Sequence, residues 1–167
     1  SFFLWGTPPD QDLLSVAASG KLSEPRVLEA QARRLLADGR SEALGERFAA
    51  QWLRLQDVDK VHPDPNFYPN FDENLAEAMR HETVMFFNHL VREDRPLLDL
   101  YRADYTFVND RVARHYGIPN VTGQQFRRVT VPAYRRGILG HGSVLTLTSI
   151  ADRTSPVMRG KWVMEVL

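Results

Sequence analysis

The sequence predicts a mainly α protein, a multi-helix bundle with one small peripheral β element near residues 125–132. Three observations carry this. Apolar residues recur at three- and four-residue spacing along most of the 167 residues, the period of a helix buried on one face. Each such run is bracketed by residues that start or stop helices. Only Gln125-Phe126-Arg127-Arg128-Val129-Thr130-Val131-Pro132 has strand character, so any sheet is small.

Asp10 can cap a short helix over 11–19, with Leu13, Leu14, Val16 and Ala17 on one face and Gly20 as its left-handed stop. Ser23 before Glu24-Pro25 reads as the next N-cap, and Val27, Leu28, Gln31, Leu35 and Leu36 continue the period to Asp38-Gly39. Ser41 opens a third helix with Leu44, Phe48, Gln51, Trp52 and Leu55 on one stripe, and Trp52 is expected in the buried core. Pro63, Pro65 and Pro69 make 56–70 an irregular loop. A long helix follows over about 72–92, carrying Leu75, Met79, Val84, Met85, Phe86, Phe87, Leu90 and Val91, with Phe71 as a staple before it.

Pro96 opens a short helix over 97–101, and a further one holds Val112, Ala113 and Tyr116 and ends at Gly117. Residues 134–148 read as a glycine-interrupted helix, and Ser155-Pro156 caps a last one running to Leu167. The expected organisation is an N-terminal helical bundle over 1–92, with the proline-rich loop 56–70, and a C-terminal helical part over 93–167 packed on it as one unit.

Composition excludes several classes. Hydrophobic residues are 43% and charged residues 25%, which is ordinary globular usage. Lys and Arg number 21 against 21 Asp and Glu, so the overall basic charge of a nucleic-acid binder is missing. The halves differ: residues 1–80 carry nine bases and thirteen acids, residues 81–167 twelve and eight. With no cysteine, the chain has no disulfide, thiolate nucleophile, iron–sulfur ligand or C-x-x-C-H haem anchor. The least charged stretch, 137–151, is shorter than the roughly twenty residues of a membrane-spanning helix. No basic segment followed by an apolar run opens the sequence as it stands, which says nothing of a signal peptide in a longer chain. The first residues, Phe2-Phe3-Leu4-Trp5, and the last, Trp162 to Leu167, are apolar runs, so we expect a piece of a longer polypeptide.

Candidate chemistry is sparse. His81 and His89 lie eight residues apart on one helix, about 12 Å along its axis, too far to share a metal. Asp57, Asp59, Asp64 and Asn66 lack the order and the central glycine of an EF-hand loop. Ser143, two residues after His141, sits in no nucleophile elbow. Arg127, Arg128, Arg135, Arg136, Arg153, Arg159 and Lys161 face only Asp152 between 126 and 161, which suits either an anionic ligand or pairing with the acidic N-terminal half. Thr154, Ser155 and Pro156 add hydroxyls at a helix start, which read equally as a plain N-cap.

Three phrases carry a resemblance: Arg95-Pro96-Leu97-Leu98-Asp99 leading to ADYTFVNDRVARHYGIP at 103–119, RRGILGHGSVLTLTS at 135–149, and RTSPVMRGKWVMEVL at 153–167. With the opening segments 1–22 and 28–53, they resemble paired domains of unknown function in large exported proteins of planctomycetes and related bacteria, often found with c-type cytochrome domains. His141, where Gln or a small polar residue is expected, and Met158, where Lys or Arg is common, depart from that pattern.

The resemblance implies a non-haem helical module of an exported, periplasmic or envelope protein, supporting electron transfer or an oxidoreductase centre in a sister domain. An envelope- or polysaccharide-binding scaffold without catalysis is the alternative. Haem c would sit in a sister domain of the same polypeptide, with no cofactor or metal in this chain. The implied partners are those sister domains, a c-type cytochrome among them, with no nucleic acid and no membrane span. No reaction is assigned. The candidate ligand-binding residues are Asp104, Tyr105, Asn109, Arg153, Thr154, Ser155, Arg159 and Lys161. We expect the phrases 104–109 and 153–161 to meet, with Arg153, Thr154 and Arg159 as donors to Asp104 and Asn109.

Overall fold

Trp5 closes the first turn, α1 (Phe2–Trp5), in the computed structural model, which describes all residues from 1 to 167. Its indole donates to the Leu35 carbonyl at 2.8 Å and lies 3.5 Å beneath the Arg40 guanidinium, so the chain start is clamped. Helix α2 (Gln11–Ala18) starts as expected, with Asp10 accepting from the Leu13 amide at 3.0 Å, and Gly20 follows at φ 75°. The same carboxylate takes two bonds from Arg34, at 2.6 and 2.9 Å. That pairing, with the Leu13 amide, holds Asp10 at a pKa of about 2 and ties α2 to α3 (Pro25–Ala37). Proline does open α3, but Glu24 rather than Ser23 is its first flanking residue; Ser23 turns back to the Gly20 carbonyl.

The helix expected from Ser41 is less regular. Ser41 ends a tight turn, Gly39–Ser41, and α4 begins as a π-helical segment, Leu44–Ala49, that runs into Ala50–Trp52. The wide turn presses Gly45 against the next helix, where a Cβ would lie 2.5 Å from Asn88 Oδ1. Trp52 is half-buried, not a core residue. It stacks on Phe48, 41% exposed, at 5.9 Å between rings, and donates to the Val166 carbonyl at 2.7 Å. The π segment shifts the stripe, so Leu53 and Leu55 fill the core and Trp52 becomes a strap on the last helix. Trp52→Phe should therefore cost about 1 kcal/mol, the net worth of one such bond. It should also speed amide exchange in the last turn of that helix, read by hydrogen–deuterium exchange.

The stretch read as an irregular loop starts with a buried turn, Leu55–Lys60, in which Leu55 and Val58 are at most 1% exposed. Helix α5 (Glu73–Arg92) then crosses the molecule, capped by Asp72, whose carboxylate accepts from the Leu75 amide at 2.8 Å. Leu75, Met79, Phe86 and Leu90 form its buried stripe. Helix α6 (Asp99–Arg102) leads into a strand that periodicity does not predict, β1 (Tyr105–Val108). It pairs antiparallel with β2 (Arg127–Thr130), inside the predicted strand, Tyr105 opposite Thr130 and Val108 opposite Arg127. Between them lies α7 (Asp110–Tyr116), closed by Gly117 at φ 70°.

Residues 134–148 are a series of short pieces rather than one helix: turns at Ala133–Arg135 and Ile138–Gly140, then α8 (Gly142–Leu147). Gly137 forces the break, at φ 60° with a Cβ position that would overlap the Tyr101 backbone. The last helix, α9 (Pro156–Val166), has the expected Ser155 cap, accepting from Met158 N at 3.3 Å. The main core takes Leu53, Leu55, Phe86, Leu90, Leu100, Ala103, Tyr105, Ile138, Val144 and Trp162, side chains from along most of the chain. No helix is long and apolar enough to cross a membrane.

Candidate functional site: a buried polar row behind an arginine-lined cavity

On α5 the buried stripe is interrupted once, by Glu82, which is fully buried beside Thr83. An isolated carboxylate in such a place is costly unless neighbours supply hydrogen bonds. Two elements supply them, and a third holds one of the two donors. Thr106 of β1 lies 2.7 Å from Glu82 Oε1, and the phenol of Tyr116, from the last turn of α7, donates to Oε2 at 2.5 Å. The Gly142 amide, at the start of α8, donates in turn to the Tyr116 oxygen at 2.5 Å. A side chain at Gly142 would place its Cβ 2.7 Å from Met79 Sδ, so glycine is what lets α8 approach this closely.

The row continues on the other side of Thr106. His141 is buried, with Nε2 3.3 Å from Thr106 Oγ1 and Nδ1 2.9 Å from Thr83 Oγ1, which lies 2.8 Å from Ser143 Oγ. The Phe86 ring packs edge-on to the imidazole at 5.0 Å. Burial, with the Arg135 charge, pushes His141 down to a pKa of about 3, so it is neutral. Burial pushes Glu82 the other way, to about 7, against the lowering effect of its donors and of Arg135. Tyr116 is raised well above the ordinary tyrosine value by burial and by the carboxylate beside it.

A neutral histidine has one donor and one acceptor nitrogen, which gives the row a direction. With Glu82 ionised, Thr106 and Tyr116 both donate to it, His141 Nε2–H donates to Thr106, and Thr83 donates to Nδ1. With a proton on Oε1 the carboxyl donates to Thr106, Thr106 to Nε2, and Nδ1–H to Thr83. One proton on Glu82 thus reverses the Thr106 and Thr83 hydroxyls and switches the histidine tautomer.

Tyr116 is also the back of something larger. The Arg135 guanidinium stacks on its ring at 3.8 Å, and Arg135 and Gly142 line a cavity of about 490 Å³. Phe67, Tyr68 and Phe71 line it from the loop before α5, Met79 from α5, His115 from α7, and Leu145 and Thr146 from α8. Ser149, Thr154 and Arg159 complete its polar lining. No carboxylate lines the cavity, and neither Arg135 nor Arg159 forms an ion pair. Arg159 is oriented by the Thr154 and Thr148 hydroxyls, at 2.9 and 3.3 Å. Arg135 donates to the Gly140 carbonyl at 3.1 Å, and its buried Nε has no partner. Burial and the charges of Arg135 and Arg111 push the His115 pKa down. No group of three His, Asp or Glu side chains could hold a metal ion.

Of the residues expected at a ligand site, Thr154 and Arg159 reach this cavity. Ser155 caps α9, and Lys161 faces Glu165 at 3.8 Å on the surface. Asn109 caps α7, accepting from the Val112 amide at 3.0 Å, while Tyr105 is buried in the core with Arg128 over its ring at 3.8 Å. The expected pairing of Asp104 with Arg153 or Arg159 does not form: Asp104 is exposed just before β1, and Arg153 points to its neighbour Asp152 in an exposed turn. No hydrogen bond or ion pair joins the two phrases. Periodicity gave no sign of Glu82, Thr106 and Tyr116 as a group, although one signal existed. Glu82 stands at a buried position of the stripe Leu75, Met79, Glu82, Phe86.

Residues 1–118 match the model of the family PSD4, described as protein of unknown function (DUF1592), and residues 135–167 match that of PSCyt3, described as protein of unknown function (DUF1588). No curated protein and no solved structure matches the chain. The junction between the two matches runs through the site: Glu82, Thr106 and Tyr116 come from the first, Arg135, His141, Gly142 and Arg159 from the second. Two families of planctomycete cytochrome-associated type therefore meet in one core, and the chain, matched by the first over more than half its length, belongs to the PSD4 (DUF1592) family.

Proposed function

We propose that this chain is a haem-free, anion-binding helical module of an exported, cytochrome-linked polypeptide, and that it holds an acidic organic ligand beside a redox centre carried by a sister domain. One observation carries the binding part: two guanidiniums without carboxylate partners line one cavity that has an aromatic wall and three hydroxyls. Arginine forks suit carboxylates and phosphates, and the aromatic wall suits a ring or flat face on the same ligand. The link to a cytochrome is supported by the type of the two families matched. Without a cysteine, a c-type haem has no thioether anchor in this chain, so in this reading the redox centre belongs to a sister domain.

The aromatic side chains Phe67, Tyr68 and Phe71 also favour the second reading, a saccharide-binding scaffold of the envelope. Calorimetric titration with glucuronate, benzoate and glucose separates the two. We expect both carboxylates to bind, glucose to bind at least tenfold more weakly, and Arg135→Ala or Arg159→Ala to weaken carboxylate binding by about tenfold each, the loss of one charged contact. Equal binding of glucose and glucuronate supports the saccharide scaffold, and carboxylate binding unchanged in both arginine variants overturns the anion site.

A further inference from the structure

We propose that Glu82 is the proton acceptor of this cavity: an anion that settles on Arg135 is taken up together with one solvent proton, which resides on Glu82 Oε1 and is registered along the row as a change of the His141 tautomer. The proposal rests on the anion-site reading above. Its geometric basis is the short line from cavity to carboxyl. Arg135 lines the cavity and stacks on the Tyr116 ring at 3.8 Å, the phenol is bonded to Glu82, and Gly142, another lining residue, is bonded to the same phenol through its amide.

Arg135 is the cation that favours ionised Glu82. An anion on Arg135 cancels that influence, so the carboxylate, already disfavoured by burial, takes up a proton. The balance is one anion and one proton in with no bond broken: a singly charged anion leaves the charge inside the site unchanged, and sulfate, with two charges, leaves it one unit more negative. Protonated Oε1 has a partner waiting in Thr106, at 2.7 Å, and the hydroxyls and imidazole beyond it can reverse as described. Tyr116 keeps its bonds to Gly142 N–H and Oε2 in both states.

The groups facing Glu82 are Thr106 of β1, Tyr116 of α7, Gly142 at the start of α8 and Arg135 from the turn before it, with His141 on the far side of Thr106. The ion pairs that cross from α5 or its cap elsewhere, Arg80 with Asp59, Arg92 with Glu42 and Asp72 with Arg111, lie at the surface. In the lining of the cavity His115 is the competing proton site, held down by burial and then by the same arginine.

Sulfate is the probe, since its charge is constant from pH 5 to 9. Titrated into the whole chain at pH 7 in two buffers of different ionisation enthalpy, sulfate should bind with uptake of a substantial fraction of a proton. Affinity should fall about three- to tenfold from pH 6 to pH 8. Glu82→Gln should bind sulfate at all these values as the parent does at pH 6, with no proton uptake, while His115→Asn, whatever it does to affinity, should keep the uptake per sulfate bound. Binding without protons, uptake that survives Glu82→Gln, or uptake lost in His115→Asn overturns the role of Glu82 and leaves the anion site standing. Absence of sulfate binding at every pH overturns the anion site and this inference with it. A second readout needs no variant: the ¹⁵N shifts of His141 should exchange Nδ1 and Nε2 between donor and acceptor type as sulfate is added at pH 7. An unchanged tautomer overturns the proposal even where Glu82→Gln does not fold.

Discussion

Phe86→Ala is expected to remove about 3–5 kcal/mol of folding stability, the usual cost of truncating a fully buried aromatic. Phe86 is 0% exposed and stands between two environments. On one side it joins the main core and lies 5.8 Å from the Tyr105 ring; on the other its edge meets His141 at 5.0 Å. Truncation therefore leaves more than a void. It opens a space beside the polar row that water can share, so Glu82 and His141 should drift back towards their ordinary pKa values. A domain of this size has roughly 5–15 kcal/mol in hand, so the alanine variant sits near the edge of folding. Phe86→Leu keeps most of the volume and should lose less than about 1.5 kcal/mol, which makes it the safer member of the series. Urea midpoints for the two variants check the claim. A loss under about 1 kcal/mol for the alanine would mean that the ring does not separate core from row.

What the sequence reveals of this fold is what local chemistry decides. Asp10 and Ser155 each announce a helix start because a short oxygen side chain before an apolar period has one good use, and each is found accepting from an amide three residues on. Gly20 and Gly117 announce stops for an equally local reason. Strand β1 was not legible, because four residues between two helices show an alternation only when their partner is known, and that partner lies some twenty residues later. Trp52 stands outside the core that periodicity predicts for it because a π turn a few residues earlier rotates the stripe, and nothing in the composition of Leu44–Ala49 marks that turn.

The site divides along the same line. Thr154 and Arg159 could be found because they belong to one dense run of arginines and hydroxyls. The pairing expected for Asp104 failed because its position before β1 leaves its side chain exposed while its carbonyl takes the Val131 amide at 2.8 Å. The polar row is long-range throughout. Glu82 meets partners 24 and 34 residues away, and Thr83 meets His141 across 58. Each member alone reads as an ordinary helix or loop residue. Only the charge at a buried helical position, and a histidine where the resemblance leads one to expect Gln, pointed towards the place.

Glu82 and His141 should together shape the pH dependence of stability, in opposite senses. Glu82 is raised from 4.5 to about 7, so between those values the folded chain holds a proton that the unfolded chain has lost. Stability from this group falls as pH rises, by about 3 kcal/mol over about two and a half pH units. His141 is lowered from 6.5 to about 3, so between those values the unfolded chain holds the extra proton. Stability from this group rises with pH, by about 5 kcal/mol over the range. The two slopes cancel between about pH 4.5 and 6.5, where their joint contribution is flat. Glu82→Gln uncovers the histidine: relative to the parent, the variant should gain about 3 kcal/mol between pH 4.5 and pH 7. His141→Gln uncovers the carboxyl: its advantage over the parent should grow as pH drops from 6.5 towards 3. Taking each variant against the parent at the same pH cancels the surface carboxylates whose pKa arginines depress, Asp10, Asp38 and Asp72. Urea unfolding at pH 4.5, 5.5, 6.5 and 7.5 measures the differences. Variant and parent profiles that run parallel across that range would show that neither group is shifted as the buried row requires.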